Sequence, residues 1–334
     1  MRVLLVKLSS LGDVVHTMPV VHDLSAAFPG VAIDWVVEPA FAPLVRRIQG
    51  IAEVIECPLR RWARRWWSAA VRGEWAAFRL RLQQESYDAV IDLQGLTKSA
   101  LVTRLARVAN GQGKRHGLAN ATEGSSFEWP ARWLVDNAIR MAPRTHALDR
   151  SRLLASKALG YALQGSPEFG LRTKPPYMKH ERPTVAFVHG SSRDDKLWPI
   201  DHWIKLGKRF IADGWRIALP QGGEAEQLRA ELIAAGWEFV ENAQLEVWPT
   251  LKIDAVLDRL AAVQGVVGVD SGLSHIGMAL KLPHVQIYNH ATAWRTGPLP
   301  EHGARHQVAI EGRPTPTLEA VWAAWNRVLE AAHA

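Results

Sequence analysis

Apolar and polar positions along this chain fall into short β-branched runs alternating with longer amphipathic stretches. In the first half, residues 2–8 read as a strand and 14–28 as a helix closed by Pro29-Gly30. Residues 32–37 read as a second strand, 41–49 as a helix and 87–93 as a buried strand. A second block follows Lys174-Pro175-Pro176, a stiff break read as a linker. It predicts strands over 184–189, 215–219, 237–240, 265–269 and 284–288, with helices over 201–213, 224–235, 252–262 and from Leu273. Strands separated by helices of about 10–15 residues imply parallel sheets with right-handed crossovers. Two such blocks predict an α/β chain of two parallel sheets facing a cleft, with ligands at the carboxyl ends of the strands. The expected divisions are residues 1–174, 177–315 and a C-terminal helix over 316–334, for which the first half is one packing surface. Residues 111–144 show no clear period and are read as irregular.

At 334 residues the chain suits two domains of about 150 residues each, and 48% apolar residues suffice for two cores. The single cysteine, Cys57, excludes a disulfide framework. The N-terminus lacks the pattern of a signal peptide. No run approaches the roughly 18 apolar residues of a membrane span. The expectation is a cytosolic chain or one bound to a membrane surface. The first strand is followed by Ser9-Ser10-Leu11-Gly12-Asp13, with one glycine, so the Gly-x-Gly-x-x-Gly turn of a nicotinamide enzyme is missing, as is a Walker A loop. No His, Cys or carboxylate grouping has metal-ligand spacing, and Asp194-Asp195 alone is weak for a divalent ion. Neither a metal nor a cofactor is expected.

Three constellations carry chemistry. In Val269-Asp270-Ser271-Gly272-Leu273-Ser274-His275 a buried strand breaks into a helix. Unpaired N–H groups and the positive helix end there attract anions, while an ordinary capped helix would use the same residues. In Lys7-Leu8-Ser9-Ser10-Leu11-Gly12-Asp13, the Asp13 carboxylate can accept a proton from an attacking hydroxyl or simply cap the helix. In Gly190-Ser191-Ser192-Arg193-Asp194-Asp195-Lys196, two hydroxyls and a lysine suit a diphosphate whose negative charge grows on departure. The alternative is a solvated loop in which Arg193 and Lys196 pair with Asp194 and Asp195. Lone polar residues near strand ends, His16, Asp92 and His146, read as structural.

Charge concentrates in one place. Residues 60–81 hold seven arginines against Glu74, a net +6 of the chain's +7, interleaved with Trp62, Trp66, Trp67 and Trp75. That mixture suits a polyanion or a membrane–water interface. A nucleic-acid reading uses the same ingredients, and a solvated cationic helix is the plain alternative.

At these residues the chain resembles the lipopolysaccharide heptosyltransferases nearly end to end. The markers include Arg2-Val3-Leu4-Leu5-Val6-Lys7, Gly12-Asp13, Asp34-Trp35-Val36-Val37-Glu38, Arg60-Arg61-Trp62, Asp92-Leu93-Gln94-Gly95, Lys98-Ser99-Ala100, Trp198-Pro199 and the Asp270–His275 run. The resemblance implies a GT-B fold of two Rossmann-like halves and metal-free, inverting transfer of L-glycero-D-manno-heptose from ADP-heptose. Kdo2-lipid A is the implied acceptor, ahead of its monoheptosylated form. By the resemblance Asp13 is the base. Ser191, Ser192 and Lys196 hold the diphosphate, joined by Asp270, Ser271, Gly272 and His275. Glu226 and Leu251 flank the adenosine. Lys7, Arg60, Arg61, Lys98 and His146 lie where the family meets acidic Kdo sugars. Serines at 191, 192 and 271 replace the frequent threonines and keep the hydroxyls, while Leu251 replaces a more usual methionine. The implied location is the cytoplasmic face of the inner membrane, with no nucleic-acid partner.

Overall fold

The computed structural model describes residues 1–65, 67–122, 125–174, 181–237, 244–299, 302–303 and 305–333. It divides into two units, Met1–Arg172 and Thr173–Ala334. The first opens with β1 (Arg2–Val6), α1 (Leu11–Val15), α2 (Pro19–Ala27), β2 (Ala32–Val37), α3 (Ala42–Val45) and β3 (Ile51–Glu56). It continues with α4 (Leu59–Arg64), α5 (Ala69–Gln84), β4 (Ala89–Asp92), α6 (Thr97–Leu105), β5 (Lys114–Leu118), β6 (Asn137–Ile139) and α7 (Ala147–Leu159). Its six strands are ordered β3-β2-β1-β4-β5-β6 and pair in parallel throughout. β4 and all but the first residue of β1 are buried, as strands covered on both faces must be.

The second unit holds β7 (Thr184–Val188), α8 (Ile200–Ala212), β8 (Arg216–Leu219), α9 (Glu224–Ala235), β9 (Leu245–Val247) and α10 (Ile253–Leu260). Then come β10 (Gly265–Val269), α11 (Gly272–Ala279), β11 (His284–Tyr288), α12 (Ala293–Thr296), β12 (Gln307–Glu311) and α13 (Leu318–His333). The strand order is β12-β11-β10-β7-β8-β9, again parallel.

Several elements differ from the pattern-based expectation. The helix expected over 14–28 is two helices, because Pro19 has no N–H for a continuing ladder and its ring crowds the preceding turn. Proline instead takes the first turn of α2, where that N–H is not needed. The helix expected over 41–49 contracts to α3. Residues 111–144 are not irregular: β5 and β6 extend the sheet, joined by a 3-10 turn over Trp129–Trp133. Their Lys-Arg-His-Gly-Leu and Asn-Ala-Ile sequences show no apolar period, and pairing beside β4 makes them strands. The expected strand over 237–240 and the Pro175-Pro176 linker fall largely outside the described residues, and β9 is the edge strand beside β8.

The C-terminal helix settles on its own unit. Val321, Ala324, Trp325 and Val328 are buried with Phe187, Phe210 and Val285 in the core of the second sheet. Trp325 packs 4.9 Å from Phe210 and 5.3 Å from Trp215, centroid to centroid. Gly265 makes room for it: a Cβ there would lie 2.5 Å from the Trp325 ring. Trp325→Ala should lower stability by about 3–5 kcal/mol, seen as a lower urea midpoint for the second unit.

Candidate active site

Both sheets end in polar strand tips. In the first unit Lys7, one residue beyond β1, is buried and donates to the Leu93 carbonyl at 3.0 Å. Its ammonium lies 3.7 Å from Asp13 Oδ1. The other carboxylate oxygen of Asp13 accepts from Ser10 N at 3.1 Å and Ser10 Oγ at 2.8 Å. Asp13, in the first turn of α1, therefore closes the capping box back onto the Ser10 N-cap and turns its other oxygen to Lys7. Burial raises its pKa, but Lys7 and the Ser10 hydrogen bonds outweigh that and hold it below the ordinary value. Burial pushes the Lys7 pKa down despite Asp13. The Asp13 side chain remains 41% exposed, so solvent can reach it.

Asp92, at the end of β4, accepts from Gln94 N at 2.9 Å, Gly95 N at 3.1 Å and Ser99 Oγ at 3.0 Å. Gln94 Oε1 in turn accepts the Leu8 N–H at 2.8 Å, tying the β1 and β4 tips together. Despite these hydrogen bonds, burial lifts the Asp92 carboxyl to about 6. The sequence reads Asp92 as structural and gives Gln94 no role of its own, although both stand in the Asp92–Gly95 run that carries the family resemblance. Glu38, just past β2, lies near Arg60 and Lys98, and burial raises its pKa against both. Arg60 and Arg61 are exposed on α4, and Arg61 pairs with Glu74. His146 is buried, caps α7 by accepting the Leu148 N–H at 3.2 Å, and meets the His16 ring edge-on at 5.5 Å.

The second tip gathers more tightly. Lys196 Nζ lies 2.7 Å from Asp270 Oδ2, and His275 Nε2 lies 3.4 Å from Oδ1. Burial works against the Asp270 charge, but these two partners hold its pKa far below the ordinary carboxylate range. Ser191 Oγ donates to the Asp270 carbonyl at 3.2 Å, and Ser192 is exposed beside it. Ser271 N-caps α11 with its hydroxyl oxygen buried and unpartnered among the described residues, directly before Gly272. Half of the solvated-loop alternative holds: Arg193 pairs with Asp195, but Lys196 turns inward. Asn289, which sequence reading missed, donates 3.0 Å hydrogen bonds to the Asp195 and Leu197 carbonyls and so sets that turn.

Glu226, in the first turn of α9, accepts from Gly222 N at 2.6 Å, and its carboxylate lies over Gly190. A Cβ on Gly190 would stand 2.5 Å from that carboxylate, so glycine is what admits the approach. Leu251 follows a loop pinned by Gln221, which donates to Trp248 O at 3.1 Å and Thr250 Oγ1 at 3.0 Å.

Residues 75–319 match the family model described as glycosyltransferase family 9 (heptosyltransferase). The chain belongs to this family. Lipopolysaccharide heptosyltransferase 1 of Escherichia coli strain K12 is 40% identical over 296 residues, covering 86% of this chain and 88% of the relative. The structure of E. coli heptosyltransferase WaaC with ADP has a TM-score of 0.86 at 35% identity, covering 98% of this chain and all of that one. Lipopolysaccharide heptosyltransferase 2 of E. coli K12 is 28% identical over 318 residues, covering 91% of this chain and 87% of the relative. The two Rossmann-like units are thus those of a GT-B glycosyltransferase, and this heptosyltransferase carries its polar groups at the carboxyl ends of both sheets.

Asp92 gives a pH signature. A carboxyl whose folded pKa is raised to about 6 from 3.8 binds its proton more readily folded than unfolded, so it favours folding at low pH and costs stability as pH rises toward 6. Urea midpoints of the parent should therefore fall relative to Asp92→Asn between about pH 4 and 6, then run parallel.

Proposed function

We propose that this heptosyltransferase moves L-glycero-D-manno-heptose from ADP-heptose onto the Kdo of Kdo2-lipid A, with inversion and without a metal, at the cytoplasmic face of the inner membrane. The observation that carries the reading is the second strand tip. There Lys196 is held 2.7 Å from Asp270, beside the unpartnered Ser271 hydroxyl at a helix N-terminus. That is a seat for a diphosphate: a cation, a hydroxyl and unpaired N–H groups, with the Asp270 charge already balanced. In this reading Ser191, Ser192, Lys196, Asp270, Ser271, Gly272 and His275 hold the donor diphosphate, and Glu226 and Leu251 flank the adenosine. Lys7, Arg60, Arg61, Lys98 and His146 meet the acidic acceptor sugars. Greater identity to the heptosyltransferase 1 relative than to the heptosyltransferase 2 relative supports Kdo2-lipid A over its monoheptosylated form.

The chemistry follows from charge flow. The bond from the heptose anomeric carbon to the β-phosphate oxygen breaks, and the acceptor oxygen bonds the opposite face, which inverts the centre. Negative charge gathers on the departing ADP, where Lys196 and the N–H donors stabilise it more than in the ground state. The attacking oxygen becomes strongly acidic as it bonds carbon. Asp13, held ionised by Lys7 and Ser10, then takes its proton without needing a high pKa. The leaving group is already a stable anion, so cationic and N–H donors stand in for a metal.

Asp13→Asn keeps an oxygen to cap the helix but loses the base. Its kcat should fall by about 10²- to 10⁴-fold while calorimetric ADP affinity is unchanged; a matching loss of ADP affinity would make Asp13 purely structural. Lys196→Ala should cost about 10²- to 10³-fold in kcat through the leaving group. Turnover in excess chelator should equal that without it, and recovery only on adding a divalent ion would refute the metal-free mechanism.

A further inference from the structure

Between α4 and α5 lies a pocket of about 340 Å³ lined by Leu59, Trp62, Ala63, Val71, Arg72 and Trp75. Its size falls within the range of ligand sites, yet its lining is apolar except for Arg72. Trp62 and Trp75 meet edge-on at 5.4 Å, and Phe78 packs 5.4 Å from Trp62. Trp62 Nε1 donates to Glu74 at 2.8 Å, so the polar edge of the indole is already engaged and its apolar faces are left for the pocket. Trp67, on the turn between the helices, is 62% exposed. Among the described residues no carboxylate pairs with Arg64 or Arg65, both exposed on the same turn.

The apolar character extends along one face of the sheet. The β3-to-β4 and β4-to-β5 crossovers run in the same direction, so right-handed connections put α5 and α6 on the same side, and the two helices touch. α6 packs on the Trp129–Trp133 turn, where Trp129 is 57% and Trp133 63% exposed and the Arg132 guanidinium stacks 3.8 Å above Trp129. Exposed indoles beside arginines belong at a headgroup boundary.

We propose that α4 and α5 form the membrane foot of this enzyme: Arg64 and Arg65 meet phosphates of anionic bilayer lipids, and the Trp62–Trp75 pocket takes part of one acyl chain. The proposal rests on the reading that the acceptor is a membrane lipid. With Arg72 as its one polar lining residue, already donating to the Trp67 carbonyl, the pocket offers little to read a base edge, which disfavours nucleic acid. The continuation of exposed indoles onto the α6 side fits a surface better than a single bound acceptor molecule.

The test is co-sedimentation of the full chain with phosphatidylcholine vesicles, with and without phosphatidylglycerol and lacking any acceptor. Binding should require phosphatidylglycerol. R64A/R65A should weaken it roughly thirty-fold, about fivefold for each arginine. Ala63→Trp, which fills the pocket, should weaken it about fourfold for each methylene excluded. Both variants should keep parental turnover on a deacylated, water-soluble acceptor, which also shows that they fold. Equal binding by parent and both variants, binding only when acceptor lipid is in the vesicle, or loss of vesicle binding to an RNA competitor that A63W still binds, would each overturn the proposal. If the parent binds these vesicles as described but fails to turn over the soluble acceptor, the membrane foot stands and the transfer reading falls.

Discussion

Parallel strand pairing is the constraint from which the rest of this structure follows. A parallel sheet sends every strand's carboxyl end to one edge, so the loops that follow all open on the same side. β1 sits between β2 and β4, and β10 between β7 and β11, at the centres of their sheets. The residues just past those strands, Lys7 and Asp270, are therefore buried among neighbouring strand tips rather than spread over the surface. Backbone N–H groups left unpaired where the ladder ends must find acceptors. At the first tip Asp92 and Gln94 supply them, and that demand fixes the loop carrying Asp13.

Each tip resolves the cost of burying charge in the same manner, by setting a lysine against a carboxylate. The pairings differ in what they leave available. Lys7 sits deep and pins Asp13 through one oxygen, so the carboxylate keeps solvent access while its ionisation is secured. Lys196 and His275 bracket Asp270 from both sides, so both of its carboxylate oxygens are engaged. Removing one partner of such a pair leaves an uncompensated buried charge, which makes these residues stability determinants as well as site residues.

The legible parts of the sequence were those in which one element carries its own signal. The strands β2, β7, β10 and β11 and the helices α8 and α9 announce themselves by β-branched runs or amphipathic period. The Asp270–His275 turn declares a strand meeting a helix. What stayed hidden depended on neighbours: β5 and β6 are strands because β4 offers a free edge, and their own residues show no period. Gln94 and Asn289 are polar residues among many until the fold brings a carbonyl or an amide within 3 Å of each. The double role of Asp13, cap and candidate base, was posed by the sequence as a choice; its two oxygens serve both.

By itself the amino-acid sequence determined the α/β class, the division into two halves and the residue types at the strand tips, since periodicity, turn chemistry and motif spacing are local properties of the chain. The tertiary structure alone decided that Lys196 turns to Asp270 rather than to Asp194 or Asp195, that the C-terminal helix closes the second core, and that Trp62 and Trp75 line one apolar pocket. Each of those outcomes compares burial or charge pairing between segments distant in sequence or packed side by side. Such comparisons are settled only when desolvation and geometry act together.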